Sequence, residues 1–163
     1  MTHAPPPGPA PTQTGSPLFP FRFNGAQLVA HVSGALLWPE KGALVVSDLH
    51  LEKGADFART GTFLPPYDSD ETLNRLDDLL TTTKARTLIS LGDSFHSPSV
   101  IAGLSDALLS RIQHLTNSVE RFIWVTGNHD PEVPAHFGGE VHEDFALGAL
   151  HFRHEASPLF ALP

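Results

Sequence analysis

At 163 residues the chain is long enough for one domain with a buried core, and its formal charge of −8 argues against broad non-specific attraction to nucleic acid, which rests on clustered lysine and arginine. Cysteine is absent, which excludes disulfides, zinc–thiolate sites and thiol nucleophiles. No run approaches the roughly 20 apolar residues of a membrane span and the N-terminus lacks a secretory-signal pattern, so a cytoplasmic protein without membrane contact is expected.

Residues 1–20 contain seven prolines and two glycines and almost no aliphatic side chains. Burial there cannot offset the entropy of ordering, so this stretch is expected to be a disordered tail before a domain over 21–163. Phe21–Ala30 and His31–Trp38 read as short strands around the turn pairs Asn24-Gly25 and Ser33-Gly34. Pro39-Glu40-Lys41-Gly42 turns the chain into the apolar run Ala43–Ser47. Leu73, Leu76, Leu79 and Leu80 recur at helical spacing over Asp70–Lys84, with Asp68 or Ser69 available as N-cap. A strand over Thr87–Leu91 follows. Ile101, Leu104, Leu108, Ile112 and Leu115 mark the buried face of a second helix over about 99–117. Arg121–Thr126 is the next strand, and Val141–Leu147 and Ala149–His154 read as two more, joined through Gly148. The expected fold is therefore α/β, with mixed sheets, arranged as two sheets packed face to face, and flanking helices.

Three of these strands stop abruptly at polar strings: Asp48-Leu49-His50, Gly92-Asp93 and Gly127-Asn128-His129-Asp130. An α/β sheet presents ligands at the carboxyl edge of its strands in this way. Asp48 and His50 can converge on one cation, oxygen from one and imidazole nitrogen from the other. Asp93 follows a glycine, where a side chain would crowd the backbone or an ion, and its two oxygens can bridge two metals. Asn128 offers a neutral oxygen suited to a hard cation whose charge is already partly balanced. Each string alone is most simply a turn or a cap. Their conjunction at three strand ends points to a metal site holding a pair of divalent cations.

The same strings resemble the first three signatures of the calcineurin-like metallophosphoesterases. More specifically, Ser47-Asp-Leu-His-Leu-Glu-Lys53 with Phe57 and Arg59, Leu91-Gly-Asp-Ser-Phe-His96, and Phe152-Arg-His-Glu155 resemble the bacterial ligase-associated DNA-damage-response phosphoesterases, a subgroup proposed to be endonucleases. The resemblance runs from about Phe21 to the last residue. It implies that Asp48 and His50 hold one metal, that Asn128 and His154 hold the second, and that Asp93 bridges them. His129 would protonate the leaving oxygen, and Asp130 would orient its imidazole. Lys53 and Arg59 are candidate phosphate contacts, and His96 a candidate substrate contact from the loop after Asp93. The chemistry is sound on general grounds: two cations about 4 Å apart acidify a bridging water and clamp a phosphate, and a nearby histidine supplies the leaving group's proton. Manganese suits the mixed carboxylate, amide and imidazole donors, with iron, zinc and magnesium left open.

Members of that family finish with a Gly-His-x-His motif, which this sequence lacks; it ends at Leu159-Phe-Ala-Leu-Pro163. The expectation is a domain truncated at its C-terminus, with an exposed sheet edge and sites completed by water or a partner. Two functions follow. One is a phosphodiesterase or nuclease acting on DNA, a nucleotide or a small phosphodiester, with DNA-repair ligase or helicase partners implied by the resemblance alone. The other is a catalytically impaired scaffold or binding module that retains the fold. Oligomeric state stays open. His142 and Asp144 are expected on a solvated face, and Trp38 and Trp124 in the core.

Overall fold

The computed structural model describes residues 18–54, 57, 61 and 68–155. Strands β1 (Leu18–Phe23), β2 (Ala26–His31), β3 (Leu36–Trp38), β4 (Ala43–Val46), β5 (Thr87–Leu91), β6 (Arg121–Val125) and β7 (Glu140–His142) form one sheet in sequence order. The first three pairings are antiparallel and the last three parallel. The tight β1–β2 turn uses Asn24 and Gly25, both with positive φ (44° and 79°), as a two-residue hairpin requires. The parallel connections run through helices: α1 (Asp68–Thr83) between β4 and β5, and α2 (Pro98–Ala102) and α3 (Asp106–Asn117) between β5 and β6. A second, two-stranded antiparallel sheet is built from β8 (Phe145–Leu147) and β9 (Leu150–Phe152).

Side chains alternate between two cores, which is why β4 is buried along its whole length. Leu44, Val46, Leu88, Phe122 and Trp124 meet Leu73, Leu76, Ile112 and Leu115 from α1 and α3. Ala43, Val45, Ile89, Ile123 and Val125 face the other way, against Phe145, Leu150 and Phe152 of the small sheet. Fully burying a side chain such as Ile89, Ile112 or Ile123 contributes about 1.5–3 kcal/mol. The α/β fold with two facing sheets and flanking helices is the one expected from the sequence.

Several boundaries differ from the sequence reading. Strand β1 begins at Leu18, three residues inside the proline-rich stretch, because proline is tolerated in an edge strand; residues 1–17 lie outside the described part. Helix α1 starts at Asp68, and Ser69 does not cap it: its hydroxyl accepts the Glu52 N–H at 2.8 Å, tying the helix to the loop after β4. The expected long second helix is two, broken after Ala102 at Gly103, with Ser105 capping α3 through Leu108 N–H. The single strand expected over Val141–Leu147 is also two, because β7 joins the large sheet while Phe145 turns into the second core. Residues 156–163, and any sheet edge they bear on, lie outside the described part. No described helix is long and apolar enough to cross a membrane.

Candidate metal centre

Strands β4, β5 and β6 run parallel and in register, so their carboxyl ends open onto one edge. The loops that leave them are laced together. Asp48 N–H bonds Gly92 O at 3.2 Å, His50 N–H bonds Asp93 O at 2.9 Å and Leu51 N–H bonds Ser94 O at 2.9 Å. Asp48, His50 and Asp93 have left-handed backbones, with φ of 54°, 44° and 50°. Such conformations cost about 1–3 kcal/mol each outside glycine and persist only where surroundings impose them.

The side chains gather around one atom. Asp93 Oδ2 lies 3.4 Å from His154 Nε2 and 4.0 Å from both His50 Nε2 and His129 Nε2. His50 Nε2 is also 4.0 Å from Asp48 Oδ1. Donor atoms of Asp48, Asp93 and His154 all fall within 4.8 Å of one another. That trio draws on both expected ligand sets, Asp48 from the first and His154 from the second, with Asp93 between them.

The hydrogen-bond pattern of these residues suits them to a cation. His154 Nδ1 donates to Leu91 O at 3.1 Å, which leaves a lone pair on Nε2 of the neutral ring. Nε2 then faces only acceptors, Asn128 Oδ1 at 3.1 Å and Asp93 Oδ2 at 3.4 Å. Something positive must stand there, a proton or a metal. His129 repeats the pattern, its Nδ1 donating to His96 O at 2.9 Å and its Nε2 turned toward Asp93. Metal-binding histidines anchor their second nitrogen in this way. Two ligands at about 2.0–2.2 Å from a shared ion lie about 3–4 Å apart, the spacing found here.

Glycines make the room. A Cβ on Gly92 would lie 2.3 Å from the His154 ring, and one on Gly127 would lie 2.2 Å from Asp93 Oδ1. Ser47, quoted in a motif but given no role from the sequence, directs its single hydroxyl proton at Asp48 Oδ2 or Leu91 O, both within reach. A hydroxyl directly before a strand-end Asp was the available signal.

Asp130 does not orient His129. It is fully buried and accepts the backbone N–H groups of Asp93 (3.0 Å), Ser94 (2.7 Å), Phe95 (3.2 Å) and Gly127 (3.0 Å). It therefore clamps the β5 loop to the β6 loop, and the imidazole of His129 is held by the His96 carbonyl. Burial pushes the Asp130 carboxyl up from its ordinary value, against the pull of those four bonds. Burial also lowers the pKa of His50, helped by His129 and Lys53 and opposed by Asp93 and Asp48. At His154 burial opposes the charge too, but the Leu91 carbonyl and the fields of Asp93, Asp48 and Glu155 prevail, so its pKa is raised.

Of the residues singled out from sequence, Asp48, His50, Asp93, Asn128, His129 and His154 come together. His96 joins them through its ring, 5.7 Å from that of His50 and 5.6 Å from that of His129. Lys53 is half-buried and near enough to act on His50. Arg59 lies outside the described residues.

A family model described as calcineurin-like phosphoesterase matches residues 43–161. The crystal structure of Pseudomonas putida nuclease MPE is similar, with a TM-score of 0.60 and 29% sequence identity over 76% of this chain. The match spans 58% of that nuclease chain, less than two thirds of its length. No match was found among curated protein sequences.

Proposed function

We propose that this chain, which belongs to the calcineurin-like phosphoesterase family, hydrolyses phosphodiester bonds with two divalent cations that share Asp93. The observation that carries the reading is the single oxygen Asp93 Oδ2 facing three imidazole nitrogens, those of His50, His129 and His154. Asp48 and His50 would hold one cation with Asp93, and Asn128 and His154 would hold the other. Manganese suits this donor set. Bound cations would supply Lewis acidity, acidifying water and neutralising phosphate charge.

The chain's own groups do the rest. His129 is 42% exposed and anchored at Nδ1, so its Nε2 can hold the proton that a departing oxygen needs. Asp130 fixes the two loops that carry Asp93 and His129. Lys53 offers a positive charge beside His50 for a substrate phosphate. The similarity to a nuclease supports a nucleic-acid strand as substrate. The charge of −8 favours a local phosphate grip over a long tracking groove. A role beside DNA-repair ligases or helicases rests on the sequence resemblance alone.

The test is hydrolysis of bis(p-nitrophenyl) phosphate and of single- and double-stranded DNA, with manganese and with chelator. Activity that requires metal and disappears in Asp93→Ala is expected. Metal-independent turnover, or full activity in Asp93→Ala, would overturn the reading. A second reading, a metal-binding module with little turnover, is favoured by the small donor set among the described residues: three donors per cation, against about six for manganese. Calorimetric binding of manganese with no hydrolysis would select it.

A further inference from the structure

The rings of Phe57, His96 and His129 lie in one stack. Phe57 and His96 have centroids 5.6 Å apart and planes 28° apart, and His96 and His129 have centroids 5.6 Å apart and planes 17° apart. The His50 ring stands edge-on to the latter two, at 5.7 Å from His96 and 5.3 Å from His129. His96 holds His129 twice, by ring contact and by the carbonyl that accepts Nδ1–H at 2.9 Å. The His96 backbone is pinned in turn, its N–H donating to Leu51 O at 3.2 Å.

We infer that Phe57 is a positioning residue for His129, acting through His96; this rests on the phosphoesterase reading above. An imidazole swings on two torsions, and one hydrogen bond does not prevent rotation about its axis. Rotation of His129 would carry Nε2 away from Asp93 and the substrate phosphate. A flat ring against His96 restricts that ring, and His96 restricts the ring and the tautomer of His129. Phe57 packs its ring against that of His96. An aromatic face is required there, because an aliphatic chain of similar volume fills the space without holding the plane.

The experiment compares Phe57→Leu and Phe57→Tyr in the full chain. The first readout is the ring-nitrogen NMR spectrum of the metal-free protein at about pH 8, above the ordinary histidine pKa. The wild type and Phe57→Tyr should show His129 as a single Nδ1-protonated tautomer, and Phe57→Leu a mixture. The second readout uses bis(p-nitrophenyl) phosphate beside a dialkyl phosphodiester, which has no aromatic ring to stack. With manganese, Phe57→Leu should lower kcat about 10- to 100-fold, leave KM within about twofold, and be rescued by Phe57→Tyr. Should Phe57→Leu fail to fold, Phe57→Met carries the same comparison. Unchanged His129 signals with unchanged kcat would overturn the inference. So would a KM increase confined to nucleic-acid substrates, which would make Phe57 a base contact. If the wild type turns over neither ester, the phosphoesterase reading fails, and the His129 spectrum still decides the role of Phe57.

Discussion

Asp130 and Asp93 bind each other's loops in opposite directions. Asp130 Oδ1 accepts the Asp93 N–H at 3.0 Å, and Asp93 Oδ1 accepts the N–H of His129, the residue next to Asp130, at 3.0 Å. Two carboxylates thus cross-lace the second and third motif loops, one buried for structure and one turned to the centre. Removing Asp130 leaves four backbone donors without a partner. An unsatisfied buried donor costs about 1–3 kcal/mol, so Asp130→Ala should cost at least about 3 kcal/mol even where water enters. Asp130→Asn keeps one acceptor oxygen and should lose less. Urea denaturation measures both, and manganese calorimetry should show weaker binding in each because Asp93 loses its seat. Stability within about 0.5 kcal/mol of wild type in Asp130→Ala would sink this account.

Gly92 shapes the same centre from the other side. Its φ of 73° and a virtual Cβ 2.3 Å from the His154 ring make Gly92→Ala both strained and obstructive. The left-handed backbone alone costs about 1–2 kcal/mol with a Cβ. Displacement of His154 should weaken manganese binding about 10- to 100-fold, the range for disturbed metal ligands. His154→Ala in the same background should then add little further loss, since the ring is already displaced. A full additional loss would mean that the ring had stayed in place.

The strands were legible because β4, β5 and β6 are continuous apolar runs, and their ends because Gly-Asp and Gly-Asn-His-Asp interrupt them. The face-to-face sheets were expected from mixed sheets with helical crossovers. Asp48, His50, Asp93 and Asn128 were legible as neighbours, since strand ends in one parallel sheet share an edge; His154, which follows the small antiparallel sheet, was reached by the resemblance alone. Asp130 was not, because the destination of a carboxylate depends on which backbone amides tertiary packing brings near it. The apolar spacing of Ile101, Leu104 and Leu108 masked the break at Gly103 and Ser105, which local capping chemistry overrides. Likewise, counting prolines concealed that Leu18, Phe19 and Pro20 pair with β2.

Strand β7 fixes where the third motif leaves the sheet, because His142 O accepts the Thr126 N–H at 2.9 Å. Its start is held by Arg121, whose Nε and guanidinium nitrogen bond Glu140 at 2.8 and 2.9 Å. Those bonds hold the Glu140 carboxyl below the ordinary glutamate range, outweighing burial, with His142 adding to them. A depressed acid stabilises the fold above its unfolded pKa and loses that contribution as pH falls through the folded value. Both groups are more than a third exposed, so the effect is small, about 0.5 kcal/mol. Glu140→Gln should therefore be slightly less stable than wild type at neutral pH and equal to it once Glu140 is protonated. A difference that persists unchanged into acid would assign the loss to packing.

Two buried tryptophans should respond unequally to one substitution. Trp124 Nε1–H donates to Gly138 O at 2.9 Å, whereas Trp38 Nε1 is buried with no hydrogen-bond partner among the described residues. Trp→Phe removes comparable ring volume at each position, so both variants share a cavity cost. At Trp124 the change also breaks a hydrogen bond and strands a carbonyl that ties β6 to the turn before β7. At Trp38 it removes a donor that was already unsatisfied, which recovers part of the cavity cost. Trp124→Phe should be less stable than Trp38→Phe by about 1–3 kcal/mol in urea denaturation. Equal losses would mean that the Trp38 N–H finds a partner in solution, and exchange of its indole proton at the rate of a free indole would argue against any such partner.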